Sequence, residues 1–161
     1  MAVRVFAATA IASTLLVTGA AAGPQSKPMT SRATGTFDVT IKPQDADDYA
    51  DGKAMGRMAI DKQYHGDLVG SAKGQMLTAM GDQQSAAYVA VEKFSGQLRG
   101  RTGTFAMHHT GVMTRGAPSL AIAIVPDSGT GELIGIAGTL AIDIAKDGTH
   151  SYTLQYTLPE R

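Results

Sequence analysis

The residues of this sequence best suited to chemistry are Glu92 and His109, a glutamate and a histidine on one predicted hairpin. A carboxylate and an imidazole held together can move a proton or polarise a ligand carbonyl group. Burial disfavours the charged form of each isolated group, whereas pairing favours it. The same pair can also be structural, a hydrogen-bonded contact that fixes the register of two strands. The sequence leaves both interpretations open.

The turn between the two strands places these side chains. If Arg99-Gly100 is a two-residue turn, residues whose numbers sum to 199 lie opposite each other. The resulting pairs are Phe94 with Phe105, Glu92 with Met107, Ala90 with His109, and Tyr88 with Gly111. Side chains alternate along a strand, so all of these share one face. On that face Glu92 and His109 are diagonal neighbours, with Cα atoms ~7–8 Å apart.

This face carries most of the large apolar side chains of the hairpin, so we expect it to point into the protein interior. The candidate ligand-binding residues are therefore Glu92, His109, Tyr88, Phe94, Phe105 and Met107. No catalytic role can be assigned to any of them from the sequence.

Neither a metal ion nor another cofactor is expected. His108 and His109 are adjacent, but on a strand they point to opposite faces and cannot share one ion. In the acidic loop 44–52, Tyr49 stands where a calcium loop of the EF-hand type needs its third oxygen ligand. Residues 127–130 (DSGT) resemble the aspartic-peptidase signature, but we interpret them as a loop between two strands.

The elements that must position these residues are strands. From residue 33 onward apolar residues recur with a period of two, and turn residues, including many of the 19 glycines, separate the runs. The predicted strands are 33–42, 55–65, 68–78, 85–96, 101–114, 119–126, 133–144 and 149–158. Short, regularly spaced strands of this number predict an all-β fold, a single closed antiparallel barrel of about eight strands.

A weak internal repeat supports the barrel. The pattern G-x-L-x-G begins at Gly66, Gly96 and Gly131. We interpret each copy as a hairpin whose two-residue turn ends in glycine, at 69–70, 99–100 and 134–135.

The N-terminus resembles a secretory signal peptide. Arg4 is followed by an apolar stretch without charge, and Ala20 and Ala22 satisfy the small-x-small rule for cleavage. The apolar stretch is shorter than the ~20 residues that span a bilayer, so no stable membrane anchor is expected after cleavage. We therefore predict a signal peptide over 1–22, a flexible leader over 23–32 and a barrel domain over 33–158, secreted or periplasmic.

The charge of the chain bears on whether it binds nucleic acid, and its cysteine content bears on how it is stabilised. Removal of residues 1–22 leaves 13 basic against 14 acidic residues, which is not the basic excess expected for binding nucleic acid. The chain has no cysteine, so stability must come from strand hydrogen bonds and packing.

Several motifs, in order, resemble one bacterial family. They are residues 64–68 (YHGDL), 91–98 (VEKFSGQL), 103–111 (GTFAMHHTG), 125–133 (VPDSGTGEL) and 150–154 (HSYTL). On the basis of these motifs the chain is identified as a member of the domain-of-unknown-function family 3224, whose barrel is similar to that of allene oxide cyclase. The resemblance implies an eight-stranded antiparallel barrel and self-association into a homo-oligomer. It implies no reaction, because it transfers no catalytic residues.

Three functions remain open at this point. The first is a binding barrel that holds a small apolar molecule oriented by Glu92, His109 and Tyr88. The second is an isomerase or cyclase that uses Glu92 and His109 as acid and base in the same pocket. The third is a non-catalytic structural or assembly module with a filled interior.

Overall fold

The computed structural model describes residues 29–45 and 54–159. In this part of the chain eight strands follow one another: β1 (Ser31–Pro43), β2 (Met55–Gly66), β3 (Leu68–Met80), β4 (Ala86–Leu98), β5 (Arg101–Thr114), β6 (Ala117–Ile124), β7 (Ala137–Ile144) and β8 (His150–Thr157). A short 3-10 helix, Gly131–Leu133, lies between β6 and β7. The prediction of an all-β chain is confirmed.

The strands form one closed antiparallel barrel. Each strand pairs with its neighbours in sequence, and β8 pairs with β1 from Ser31–Tyr156 to Phe37–His150. The contact between β6 and β7 is the narrowest, with one residue pair, Ala123 and Thr139. Closure pairs the strand edges that an open sheet would expose.

The central turn is the one that the sequence predicts. Arg99 and Gly100 have φ values of 47° and 82°, as a two-residue turn with positive φ at both central positions requires. The register that follows is confirmed, with Phe94 opposite Phe105 and Ala90 opposite His109.

The other two predicted turns are wrong. Val69 and Gly70 lie within β3, and the chain reverses instead at Gly66 and Asp67, where Gly66 has a φ of 104°. In the first repeat, therefore, the leading glycine makes the turn. Residues 134 and 135 do not form a two-residue hairpin turn, because they lie within the longer loop between β6 and β7.

Because of that loop, the seventh strand begins at Ala137 and not at the predicted residue 133. Leu133, at the end of the 3-10 helix, is fully buried. The carboxylate of Glu132 accepts a hydrogen bond from the backbone N–H of Thr102, and Arg101 donates to the Glu132 carbonyl. These contacts hold the segment against the start of β5, so it does not extend β7.

Inward-facing side chains fill one end of the barrel, which we call the closed end. Leu68, Leu98 and Leu133 are buried there. The next layer is aromatic: the ring of Phe94 lies 5.0 Å from that of Phe105 and 5.8 Å, edge-on, from that of Tyr64. The opposite end, where β1, β3, β5 and β7 finish, is the open end.

Residues 1–28 and 46–53 lie outside the described residues, and with them the predicted signal peptide and most of the acidic loop. Strand β1 begins at Ser31, two residues before the predicted start of the first strand, and Ser31 and Arg32 pair with β8. Over residues 29–45 and 54–159 no helix is long and apolar enough to cross a membrane.

Candidate functional site

A cluster of three ionisable side chains lies directly above the aromatic layer, inside the barrel. Lys62 comes from β2, Glu92 from β4 and His109 from β5, and each points inward by the alternation of its strand. Their exposed fractions are 5%, 1% and 4%. Charged residues are rarely buried to this degree unless they are paired, so the contacts among them decide what the site can do.

Glu92 is the centre of the cluster. The Lys62 Nζ lies 3.0 Å from each carboxylate oxygen of Glu92 and donates a hydrogen bond to Oε1. The Tyr64 hydroxyl donates to the same oxygen at 3.3 Å. The His109 Nε2 lies 3.2 Å from Oε1, within hydrogen-bond distance but not aligned for a bond, and Oε2 also lacks an aligned donor. Small rotations of the imidazole and carboxylate planes would complete these contacts.

These contacts keep the carboxylate charged. Burial by itself raises the pKa of Glu92, but the interaction with His109 and the positive charge of Lys62 outweigh it. The pKa of Glu92 is therefore held below its ordinary value of 4.5. Burial, and then the charge of Glu92, raise the pKa of Tyr64, so its hydroxyl stays protonated as a donor.

The ammonium group of Lys62 retains donor capacity. It carries three N–H groups, and Glu92 is the one hydrogen-bonding and ion-pairing partner that the structure gives it among the described residues. Its Nζ also lies 5.0 Å from the centre of the Phe37 ring, a cation–π distance. A ligand atom that accepts hydrogen bonds can therefore bind to this group.

An open cavity of about 450 Å³ lies above the cluster, between it and the open end of the barrel. Aliphatic and thioether side chains dominate its wall, among them Val39, Ile60, Met76 and Ile142. The polar lining residues are Lys62, Thr78, Tyr88, His109, Ser119 and His150. A mostly apolar wall with a few convergent polar groups is typical of a small-molecule site.

The structure separates the sequence-predicted site residues into two groups. His109 and Tyr88 line the cavity. Glu92 does not, because it lies behind Lys62 and His109, which it contacts. Phe94, Phe105 and Met107 are fully buried in the core below the cluster and do not reach the cavity. The predicted face is correct, but the cavity occupies only its open-end half.

A glycine on the neighbouring strand leaves the space that the ring of Tyr88 occupies. Gly111 lies opposite Tyr88, and a Cβ atom added at Gly111 would overlap the Tyr88 ring. The aromatic ring therefore covers the glycine and forms part of the cavity wall. Burial, with a smaller effect of the Glu92 charge, raises the pKa of Tyr88, so its hydroxyl is a hydrogen-bond donor at neutral pH.

Sequence reasoning missed Lys62 and His150. The signal for Lys62 was available, because it alternates in phase with Ile60 and Tyr64, two residues that belong inside. His150 begins β8 and stacks at 5.1 Å on the ring of Phe37, which is a contact between strands distant in sequence. No local pattern could have shown that contact.

The loop that resembles a peptidase signature is structural. The Ser128 hydroxyl donates to the carbonyl of Val125 and accepts from the backbone N–H of Ala106. The Thr130 hydroxyl bonds that of Thr104 at 2.8 Å. Over the described part of the chain, no group of three or more His, Cys, Asp or Glu residues is arranged to hold a metal ion.

A second depression, of about 710 Å³, lies on the outside of the barrel wall. Most of its lining residues face outward from β2 to β5, such as Gln75, Val89 and His108, and the buried Ala90 and His109 also contribute to it. It is the more open and less apolar of the two. The cavity inside the barrel, which alone contains the buried Lys62, is the stronger candidate site.

Comparison with known proteins agrees with this architecture. A crystal structure of a protein of unknown function from Shewanella oneidensis MR-1, of the DUF3224 family, is similar with a TM-score of 0.75 and 40% sequence identity. The match covers 83% of this chain and 100% of that one. No curated protein matches. The family model described as "Protein of unknown function (DUF3224)" matches residues 33–156, and the chain therefore belongs to this family.

Proposed function

We propose that this protein binds a small, largely apolar molecule in the open end of its barrel. The observation that carries the proposal is the apolar cavity of about 450 Å³ that ends on Lys62 and His109. This volume lies within the range of ligand sites, about 300–1,000 Å³. A barrel packed solid throughout, the basis of the structural-module alternative, would not leave such a space.

The ligand needs one polar end. A wholly apolar molecule would displace water from the Lys62 ammonium group without replacing its hydrogen bonds, at a cost of about 1–3 kcal/mol for each unsatisfied group. A hydrogen-bond acceptor against Lys62 avoids this cost, and Tyr88 and His109 lie on the same cavity wall. In this arrangement Glu92 does not bind the ligand but holds Lys62 and His109 in place.

An isomerase or cyclase is the second candidate, favoured by the distance of 3.2 Å between the His109 Nε2 and the Glu92 Oε1. A proton acceptor in contact with a carboxylate can act as an acid or base. Because Glu92 does not line the cavity, His109 would be the group that meets the substrate. Turnover of a bound molecule that disappears in His109→Gln, while binding persists, would distinguish this candidate from binding alone.

The proposal is tested by native mass spectrometry of the protein purified from bacteria, followed by organic extraction of anything bound. We expect a stoichiometric small molecule that is lost in Leu120→Trp, which fills the cavity. The matched control is Val69→Trp, because Val69 is 53% exposed and lines neither depression. A wild-type protein that neither retains a molecule nor gains one from a panel of small apolar compounds would contradict the proposal. The same spectra report whether the chain self-associates.

The proposal places the protein outside the cytoplasm, and this part rests on the sequence of residues 1–22. Expression of the full chain in a bacterial host followed by N-terminal sequencing tests it. We expect the exported protein to begin at Gly23. Protein found only in the cytoplasmic fraction with residues 1–22 intact would contradict this location.

A further inference from the structure

The described part of the cavity wall carries basic side chains and no acidic ones. Among the described residues that line it, Lys62 is the one lysine or arginine, and His109 and His150 are the histidines. None of these lining residues is an aspartate or a glutamate. A ligand that enters from the open end therefore meets an ammonium group and two imidazoles.

The negative charge that balances Lys62 is hidden from the cavity. Glu92 is 1% exposed, and its Oε2 atom is buried. Lys62 and His109 stand between this carboxylate and the cavity, each in contact with it. Glu92 thus pairs with Lys62 without presenting a carboxylate to the ligand.

We infer that the cavity takes an organic anion, an apolar body that carries one carboxylate or similar anionic group, with the anion against Lys62 and His109. This inference rests on the proposed function and specifies its ligand class. An anion accepts a hydrogen bond from the donor capacity of Lys62 that Glu92 does not use, and charge-assisted hydrogen bonds of this kind are about twice as strong as neutral ones. A cation would instead be brought against Lys62 without a carboxylate among the described wall residues to pair with it.

Three probes with hydrocarbon chains of the same length and different head groups test the inference: octanoate, octan-1-ol and octylamine. Isothermal titration calorimetry of the wild-type protein should give an affinity for octanoate at least about tenfold above that for either of the others. Octan-1-ol or octylamine binding as tightly as octanoate would overturn the anion inference and leave the proposed function standing. Binding of none of the three would overturn both.

A neutral variant provides the matched control. In Lys62→Met/Glu92→Gln both charges are removed together, so neither is left buried alone. We expect octanoate to lose at least about tenfold in affinity there, while octan-1-ol changes little. An unchanged preference for octanoate would overturn the assignment to Lys62. The ligand series on the wild-type protein does not depend on the folding of this variant.

Discussion

Lys62, Glu92 and His109 form a buried network with Glu92 at its centre. Glu92 contacts both partners, and its carboxylate is the counter-charge of Lys62, which is only 5% exposed. A structural ion pair could be enclosed on every side, but here Lys62 and His109 both line a cavity. This exposure to a ligand-sized space distinguishes the cluster from a device that only fixes strand register.

Removal of the carboxylate should be costly. We expect Glu92→Gln to lower the free energy of unfolding by about 3–5 kcal/mol, because it leaves Lys62 buried without its counter-charge. Urea denaturation measures this change. The double variant Lys62→Met/Glu92→Gln should recover most of the loss. The control is Asp61→Asn, which removes an exposed pair with Lys73 at 3.6 Å and should cost less than about 1 kcal/mol. Equal losses in Glu92→Gln and Asp61→Asn would show that the buried pair is not formed.

The same network predicts a dependence of stability on pH. The pKa of Glu92 is lower in the folded protein than its ordinary value of 4.5, so between these two values the unfolded chain binds more protons than the folded one. The contribution of Glu92 to stability is therefore present above about pH 4.5 and is lost as the pH falls through the folded pKa. Urea denaturation of wild type and Glu92→Gln across the acidic range should show their difference in unfolding free energy shrink with falling pH. A difference that is constant with pH would contradict the assignment.

At the scale of the elements, the central hairpin was predictable because one turn fixes its register. Arg99-Gly100 has a local signature, and once it is placed, the alternation of β4 and β5 assigns every facing pair. The same reasoning failed at residues 134–135, where tertiary contacts of Glu132 and Leu133 override a similar local pattern. Lys62 was not predicted because the alternation within β2, which puts it on the same face as Ile60 and Tyr64, was not used to assign an inner face. The division of the interior into a filled and an open half depends on all eight strands, and no local pattern specifies it.

The central turn can be tested by substitution at Gly100. Its φ is 82°, and a Cβ added there meets nothing within 4 Å, so only backbone strain opposes a side chain. We expect Gly100→Val to lower the unfolding free energy by about 1–2 kcal/mol. Gly100→Asn should cost clearly less, because asparagine tolerates this conformation. Thermal denaturation measures both, and equal costs would contradict the assigned turn.

At the scale of the whole molecule, the barrel is asymmetric along its axis. Leucine and aromatic side chains pack the closed end, where the 3-10 helix adds Leu133, and the open end surrounds the cavity. A small barrel either fills its interior with side chains or holds a small ligand, and this one does each in a different half. The closed half supplies rigidity, and the buried cluster forms the floor of the open half.

This asymmetry predicts unequal effects of the same substitution at the two ends. Leu133 is fully buried, so Leu133→Ala should lower the unfolding free energy by about 2–5 kcal/mol. Leu120 lines the open cavity and is 44% exposed, so Leu120→Ala should cost much less. Urea denaturation compares the two variants. Similar costs would mean that the open end is packed as tightly as the closed end.

Titration of ¹⁵N-labelled protein with octanoate and octan-1-ol shows whether the open end of the barrel is a ligand site, and a bound ligand there is the outcome we expect. Backbone amide chemical shifts should change at cavity residues such as Tyr88, His109 and Gly111. Leu68, Leu98 and Leu154, buried in the closed half, should be unaffected. Shifts confined to the outer face of the barrel, or no shifts with either compound, would contradict this expectation.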